Sequence, residues 1–167
     1  MEAACTLVSC TISETFIQSR KYVRRYKEKM PGKIKVLLSK LGLDVHNRGI
    51  ITVAKGLSDA GMEVVYIGNA LPKEIISSAI QEGVDVVGVS SLGGAHLTLG
   101  IPLIAEAKEK GFKDNVAFLM GGVFPPADTL RLKDIGFDGI FTPGTTINDI
   151  VSSIHELVSS KAGRSDS

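Results

Sequence analysis

The sequence lacks several features that would assign it to a particular class of protein. Lysine plus arginine (19) nearly balances aspartate plus glutamate (18), so no charge excess attracts nucleic acid or an anionic membrane. No apolar run approaches the roughly 18 residues that span a bilayer. The N-terminus also lacks the charged segment and apolar core of a secretion signal. These absences predict a cytoplasmic protein that binds neither nucleic acid nor membrane, although the basic stretch SRKYVRRYKEK leaves a transit peptide open.

Cysteine and histidine are scarce. The two cysteines, Cys5 and Cys10, lie close to the N-terminus. They offer no disulfide framework and no second pair for a metal site, so we interpret them as free thiols in a reducing compartment. The chain has three histidines, His46, His96 and His155. His155 occupies a polar position of the last predicted helix and is interpreted as a surface residue.

Short apolar runs alternate with amphipathic stretches along most of the chain. Of the 167 residues, 44% are hydrophobic and 22% charged, values typical of one globular domain. Five Val/Ile-rich runs predict buried parallel strands: KIKVLL, EVVYIG, VDVVGVS, NVAFLMGG and DGIFTPG. Apolar residues at helical spacing predict helices at residues 49–60, 72–82, 97–110, 126–135 and 146–160. The βα unit therefore occurs five times.

Proline and glycine mark the ends of these helices. Pro72 and Pro126 stand where a helix begins, and four glycines stand where one stops: Gly61, Gly83, Gly111 and Gly136. Because crossovers are right-handed, the alternation predicts an α/β, flavodoxin-like doubly wound parallel sheet of five strands, in the order 2-1-3-4-5.

The predicted domain covers residues 33–160, between an N-terminal extension at 1–32 and a disordered tail at 161–167. Within the extension, residues 11–29 place apolar side chains loosely on one helical face, with basic residues opposite. Two interpretations remain open for this segment: docking on a partner, or a simple helical extension.

In such a fold, ligands bind outside the carboxyl ends of the strands, where strand order reverses, here between strands 1 and 3. Four of the loops at that edge are rich in small residues: SKLGLDVHNRG, SSLGGAH, GGVFPP and TPGTT. Glycine lets backbone approach a ligand, and the hydroxyls of serine and threonine form hydrogen bonds. We therefore predict a long groove for a large polar cofactor. The loop after strand 2, GNALPK, is interpreted as ordinary.

The first of these loops contains Asp44 and His46. Imidazole binds a metal best when its second nitrogen donates to a carboxylate, and Asp44 is near enough in sequence to accept. Lys40 is near enough to pair with Asp44 and keep it ionised. One histidine cannot hold zinc, so a metal here must arrive in a macrocycle with one axial position free, as in haem or a corrin. Alternatively, Asp44 or Asn47 caps the next helix and His46 is only a loop residue.

Four motifs together carry a resemblance to a known family. LDVHNRG, SSLGGAHLTL, GGVFPP and TPGT resemble the cobalamin-binding domain of adenosylcobalamin-dependent acyl-CoA mutases, the methylmalonyl-CoA mutase group, with its DxHxxG, SxL and GG pattern. The resemblance extends from about Lys33 to Ser159. It implies that His46 ligates cobalt in place of the cofactor's own dimethylbenzimidazole, which lies in a slot along the sheet. Asp44 and Lys40 would support His46.

The same resemblance implies the other cofactor-binding residues. Ser90 and Leu92 would line the slot around the benzimidazole, and Gly121 and Gly122 would let the nucleotide tail lie against strand 4. The full implied set is Lys40, Asp44, His46, Arg48, Gly49, Ser90, Ser91, Leu92, Gly121, Gly122, Phe141, Gly144 and Thr145, of which the last three would close the far end.

Two positions have more than one interpretation. Val45 stands where the mutases commonly have glycine, and its β-branched side chain disfavours a positive φ, so either the loop is extended or the corrin sits differently. His96, in the shared GGAHLTL stretch, either touches the corrin edge or the partner subunit, or has a structural role at the start of the third helix.

The resemblance implies an isomerase whose function is divided between two chains. This chain would be the cobalamin-binding small subunit, inactive alone, and a large barrel-containing subunit would bind the acyl-CoA substrate. Methylmalonyl, isobutyryl and 2-hydroxyisobutyryl thioesters all remain open. The alternative is a corrinoid carrier protein for methyltransferases, which shares DxHxxG but typically has a helical cap where this chain has only residues 1–32. A flavodoxin or response-regulator domain would share topology alone.

Overall fold

The structure, a computed structural model, describes residues 32–162. They form a five-stranded parallel sheet in the order β2-β1-β3-β4-β5, which confirms the predicted topology. The strands are β1 (Lys35–Leu41), β2 (Glu63–Ala70), β3 (Val86–Ser91), β4 (Ala117–Gly122) and β5 (Gly139–Phe141). The helices are α1 (Arg48–Asp59), α2 (Pro72–Glu82), α3 (His96–Glu109), α4 (Pro126–Ile135) and α5 (Ile147–Ala162). The predicted docking segment at 11–29 lies outside the described residues.

Helices cover both faces of the sheet because successive apolar side chains of a strand point to opposite faces. Leu37 and Phe118 belong to the core beneath α2, α3 and α4. Their chain neighbours Val36 and Leu119 belong to the core beneath α1 and α5. All four are at most 4% exposed, and each buried side chain of this size contributes about 1.5–3 kcal/mol. With both faces covered, the strand ends are where the sheet meets solvent.

The helices begin and end at the prolines and glycines that mark them in the sequence. Pro72 and Pro126 are the first residues of α2 and α4. All four predicted stop glycines have positive φ, which a side chain would disfavour: Gly61, Gly83, Gly111 and Gly136. None of the helices between residues 32 and 162 combines the length and apolar character needed to cross a bilayer.

The end of α5 corrects one predicted boundary. The helix predicted at residues 146–160 continues through Lys161 and Ala162, two residues beyond its predicted end. Lys161 is only 9% exposed, and its ammonium donates to the carbonyl of Lys113 at 3.1 Å. Lysine can bury its aliphatic stem when its charged end finds a partner, and a terminal run of polar residues does not reveal that partner.

Candidate functional site

His46 lies in the loop between β1 and α1, at the carboxyl edge of the sheet. Its Nδ1 is 2.9 Å from Oδ1 of Asp44. Because a carboxylate accepts, the ring donates from Nδ1, which leaves the lone pair on Nε2. The side chain of His46 is 60% exposed, whereas that of Asp44 is 3% exposed. An accessible imidazole whose tautomer is set by a buried carboxylate is suited to donate one lone pair to a metal.

Asp44 is held by backbone groups as well as by the imidazole. Its Oδ1 accepts the N–H of His46 at 2.8 Å, and its Oδ2 accepts the N–H of Leu92 at 2.6 Å. Burial opposes ionisation, but the hydrogen bonds from His46 and Leu92 outweigh it and hold the pKa of Asp44 below its ordinary 3.8. Leu92 follows β3, so this carboxylate ties together the loops of the two strands between which strand order reverses.

Lys40 binds the loop through other acceptors than the Asp44 carboxylate that was predicted. Its ammonium donates to the backbone carbonyl of Asp44 at 2.6 Å and to the side-chain oxygen of Asn47, and not to the Asp44 carboxylate. The predicted ion pair between Lys40 and the Asp44 carboxylate is therefore not formed. Asn47 occupies the N-cap position of α1 but makes no side-chain capping bond. Helix capping by Asp44 or Asn47, the structural alternative for this motif, is thus not what the structure shows.

Asn69 is a residue of the site that sequence reasoning missed, because the loop after β2 was interpreted as ordinary. Its side-chain N–H₂ donates to the carbonyl of Gly42 at 2.8 Å and to that of Asp44 at 2.9 Å. The register between β1 and β2 shifts just before it, and Gly68 has φ of +73°. An isolated glycine within a strand pattern is the available signal for such a bulge, which redirects the following side chain.

A groove of about 640 Å³ lies between the sheet and helices α1 and α5. Apolar residues such as Leu38, Ile50 and Ile154 form much of its lining, and the rest includes glycines, Arg48 and hydroxyl-bearing residues such as Ser90. The prediction of a large groove at this edge is confirmed, but its interior is more apolar than predicted. Such a lining suits a flat apolar ring with a polar extension better than a wholly polar ligand.

Most of the residues implied by the resemblance line this groove: Arg48, Gly49, Ser90, Leu92, Gly121, Gly122, Phe141, Gly144 and Thr145. Lys40, Asp44 and His46 lie instead in the hydrogen-bonded loop that precedes α1. Ser91, also in the implied set, does not line the groove. It follows Ser90 in a strand, where successive side chains point to opposite faces, and its hydroxyl is buried with no hydrogen-bond partner among the described residues.

The TPGT motif forms a tight turn at one end of the groove. The backbone N–H and the hydroxyl of Thr145 both donate to the carbonyl of Thr142, at 3.1 and 2.8 Å. Pro143 and Gly144 occupy the middle of the turn, and Gly144 has φ of +100°, the pattern of a type II turn. The motif therefore provides a compact wall after β5.

Burial and backbone geometry distinguish between the interpretations left open for Val45 and His96. No residue other than glycine has a positive φ within 32–162, so Val45 needs no glycine-like conformation, and its side chain is 83% exposed. His96 is 7% exposed and its Nε2 lies 3.0 Å from Oδ2 of Asp128. This burial favours the structural interpretation over contact with the corrin edge or a partner. His155 is exposed on α5, as predicted.

The donor set fits a metal that arrives in a macrocycle. Across residues 32–162 no group of three or more His, Cys, Asp or Glu side chains could hold a metal ion. The site offers instead one oriented imidazole, a buried carboxylate behind it, and an apolar groove whose lining includes Leu92, which donates its N–H to that carboxylate. These features would suit a corrin whose metal takes one ligand from the protein.

Comparison with known proteins gives the same assignment. The B12 binding domain family matches residues 34–152. The 2-hydroxyisobutanoyl-CoA mutase small subunit of Aquincola tertiaricarbonis is 40% identical over 132 residues, 78% of this chain and 96% of that subunit. Methylmalonyl-CoA mutase of Escherichia coli (strain K12) is 37% identical over 126 residues, 75% of this chain but 18% of that enzyme. A cobalamin-binding protein from Desulfitobacterium hafniense DCB-2 matches with a TM-score of 0.65 and 18% identity, covering 88% of this chain and 71% of that one.

These similarities have different weight. The structural match is too low in identity to support more than the fold, whereas the family match spans most of the chain and includes His46 and nearly all of the groove lining. One relative is a separate small subunit that the match covers almost completely, and the other is a larger enzyme of which this chain matches less than a fifth. On this evidence the chain belongs to the B12 binding domain family.

Proposed function

We propose that this chain is the cobalamin-binding small subunit of a two-subunit, adenosylcobalamin-dependent acyl-CoA mutase. The observation that carries the proposal is the His46–Asp44 pair in the loop before α1, which leaves one imidazole nitrogen for cobalt. The match to nearly the whole length of a mutase small subunit supports it. We place the protein in the cytosol, because its sequence offers no disulfide framework.

Each part of the site has a role in holding the cofactor. His46 would be the axial ligand through Nε2, and Asp44 would accept from Nδ1, which raises the basicity of the ring and fixes its direction. Lys40 and Asn69 hold the backbone of that loop through the carbonyl of Asp44. The groove, with Ser90 in its lining, would take the dimethylbenzimidazole. When bound, adenosylcobalamin supplies radical chemistry that amino-acid side chains cannot provide.

The partner in this proposal is a large mutase subunit that holds the acyl-CoA substrate. The loops described here would hold one face of the cofactor and its tail, whereas radical chemistry needs a site closed to water and stray hydrogen donors. In this proposal the large subunit closes the other face. The names of the relatives favour a small branched acyl-CoA thioester as substrate, and the groups that distinguish such thioesters would belong to the large subunit.

Axial ligation is tested by electron paramagnetic resonance of cob(II)alamin bound to ¹⁵N-labelled protein. We expect coupling to a protein nitrogen in the wild type and in the His155→Ala control, and its loss in His46→Ala. Ser90→Leu should weaken cobalamin binding by blocking the groove while leaving the fold intact. A spectrum that retains coupling to the cofactor's own nitrogen in the wild type would contradict the proposal.

The mutase assignment is tested by assays with adenosylcobalamin and acyl-CoA substrates, using this chain, a large mutase subunit, and their mixture. We expect isomerisation in the mixture only. Turnover by this chain alone would show that no partner is needed. Methyl transfer to an acceptor in place of isomerisation would favour the corrinoid carrier.

A further inference from the structure

His96 belongs to a buried cluster that the cofactor site described above does not use. The imidazole is 7% exposed, and its Nε2 lies 3.0 Å from Oδ2 of Asp128 in the first turn of α4. Asp128 is itself 16% exposed, and its Oδ1 lies 3.6 Å from the guanidinium of Arg131. The contact therefore joins the first residue of α3 to the first turn of α4, across the loop that follows β4.

The hydrogen-bonding state of His96 follows from its partners. A carboxylate accepts, so Nε2 carries the proton toward Asp128. Nδ1 is buried and has no hydrogen-bond partner among the described residues. In this tautomer Nδ1 is an acceptor without a donor. Only the Nε2 side of the ring has a polar contact, and the rest of the ring makes contact by packing.

Phe124 connects this cluster to the groove. The centroids of the His96 and Phe124 rings are 4.8 Å apart with a tilt of 56°. Phe124 in turn packs on Gly122, since a Cβ placed there would lie 2.7 Å from Cζ of Phe124 and 2.1 Å from the carbonyl of Ser91. Gly122, which has φ of +156°, lines the groove. A continuous series of contacts thus leads from Asp128 to the groove wall.

We infer that His96 is a positioning residue for the nucleotide tail of the cobalamin. Anchored by Asp128, the ring holds Phe124 against Gly122 and so fixes the wall of the groove at the end of β4. This inference rests on the proposed function, because it takes the tail to lie against Gly121 and Gly122. His96 would therefore affect how tightly the nucleotide tail is bound, although it does not line the groove, and would not affect ligation of the cobalt.

Two matched ligands distinguish an effect on binding of the nucleotide tail from an effect on binding of the corrin and its cobalt. Adenosylcobalamin carries the nucleotide tail, and adenosylcobinamide has the same corrin, metal and upper ligand without it. His96→Gln retains an N–H donor near the position of Nε2, whereas His96→Asn places its donor near Nδ1 and loses Asp128. His155→Asn is the control at an exposed histidine. Dissociation constants for both ligands are measured by absorption titration, with circular dichroism and thermal melting to confirm the fold.

We expect His96→Asn to bind adenosylcobalamin about 10-fold more weakly, as loss of a hydrogen bond to a charged group predicts. Adenosylcobinamide affinity should not change, so the preference for the tailed ligand falls by the same factor. His96→Gln should recover most of that preference. Should His96→Asn fail to fold, Phe124→Leu, which stays apolar but loses the ring contact to Gly122, should lower the preference in the same way.

Other results overturn the inference. An unchanged preference in the variants, equal weakening of both ligands, or a glutamine variant as impaired as the asparagine one would show that His96 only stabilises the fold. Lack of preference in the wild type would show that the tail is not held here. Failure of the wild type to bind adenosylcobalamin at all would instead refute the proposed function. That result differs from the outcomes above, in all of which the wild type still binds adenosylcobalamin.

Discussion

Buried lysines at opposite edges of the sheet are satisfied in different ways. At the carboxyl edge, Lys40 is 5% exposed and donates to two neutral oxygens, the carbonyl of Asp44 and the side chain of Asn47. At the amino edge, Lys161 lies 3.4 Å from the carboxylate of Asp138. Burial lowers the pKa of Lys161, and the Asp138 carboxylate offsets this only in part. Lys161 thus has a charged partner, the Asp138 carboxylate, whereas both hydrogen-bond acceptors of Lys40 are neutral.

The difference follows from what each carboxylate must do. Asp138 accepts from Lys113 at 2.9 Å and from the N–H of Phe118 at 2.7 Å, and so neutralises charge beside the core. Asp44 accepts from His46 and Leu92, and the nearby Lys40 donates to other oxygens. At the amino edge the carboxylate serves stability, whereas at the carboxyl edge it orients an imidazole. Substitutions should therefore separate the two effects.

The largest effect is expected from Asp138→Ala. It leaves Lys113 and Lys161 without their carboxylate in a mostly buried position, and breaking such a pair commonly costs about 3–5 kcal/mol in the free energy of unfolding. The control is Asp59→Ala, which removes the exposed pair with Lys55 and should cost less than about 0.5 kcal/mol. Chemical denaturation measures both. Equal losses of unfolding free energy in the two variants would show that burial at the amino edge does not matter. The cobalamin affinity of folded Asp138→Ala should be unchanged.

Asp44→Asn should show the reverse pattern. The amide accepts less strongly from the His46 ring, and its N–H₂ group faces a backbone donor, so axial ligation weakens. Loss of a group behind a metal ligand commonly reduces affinity or activity about 10- to 100-fold. Cobalamin titration measures the affinity, and denaturation measures the stability. A variant that binds like wild type would show that the carboxylate does not orient His46.

The smallest effect expected is a change in stability at acidic pH. Hydrogen bonds hold the folded-state pKa of Asp44 below 3.8 despite burial, so its carboxylate contributes stability that is present above the unfolded-state pKa and is lost as pH falls through the folded-state pKa. The stability difference between wild type and Asp44→Asn should therefore shrink as pH is lowered below about 3.8. Denaturation of both proteins across that range tests this. A difference that stays constant with pH would mean that the native state does not favour the ionised form.

Much of the site could be predicted because its central pair is local. Asp44 and His46 are two residues apart, so their contact depends on one loop. The N–H of Leu92 is 48 residues from the Asp44 carboxylate, and Asn69 is 25 residues from the carbonyl it binds. Those partners meet only when strands pair at a common edge. The role of Asn69 was missed for that reason. The ion pair predicted for Lys40 did not anticipate that its ammonium donates to the backbone carbonyl of Asp44 and to Asn47.

The sequence by itself determined the order of strands and helices, the edge at which the loops gather, and His46 as the candidate ligand, because apolar periodicity, proline, glycine and short motifs act locally. Tertiary structure decided the rest. The β2 bulge that aims Asn69, the face on which Ser91 lies, the burial of Lys161, and the pairing of His96 with Asp128 each depend on groups distant in the chain. Buried polar groups take whichever partners folding brings within hydrogen-bond reach, and local pattern carries no information about those partners.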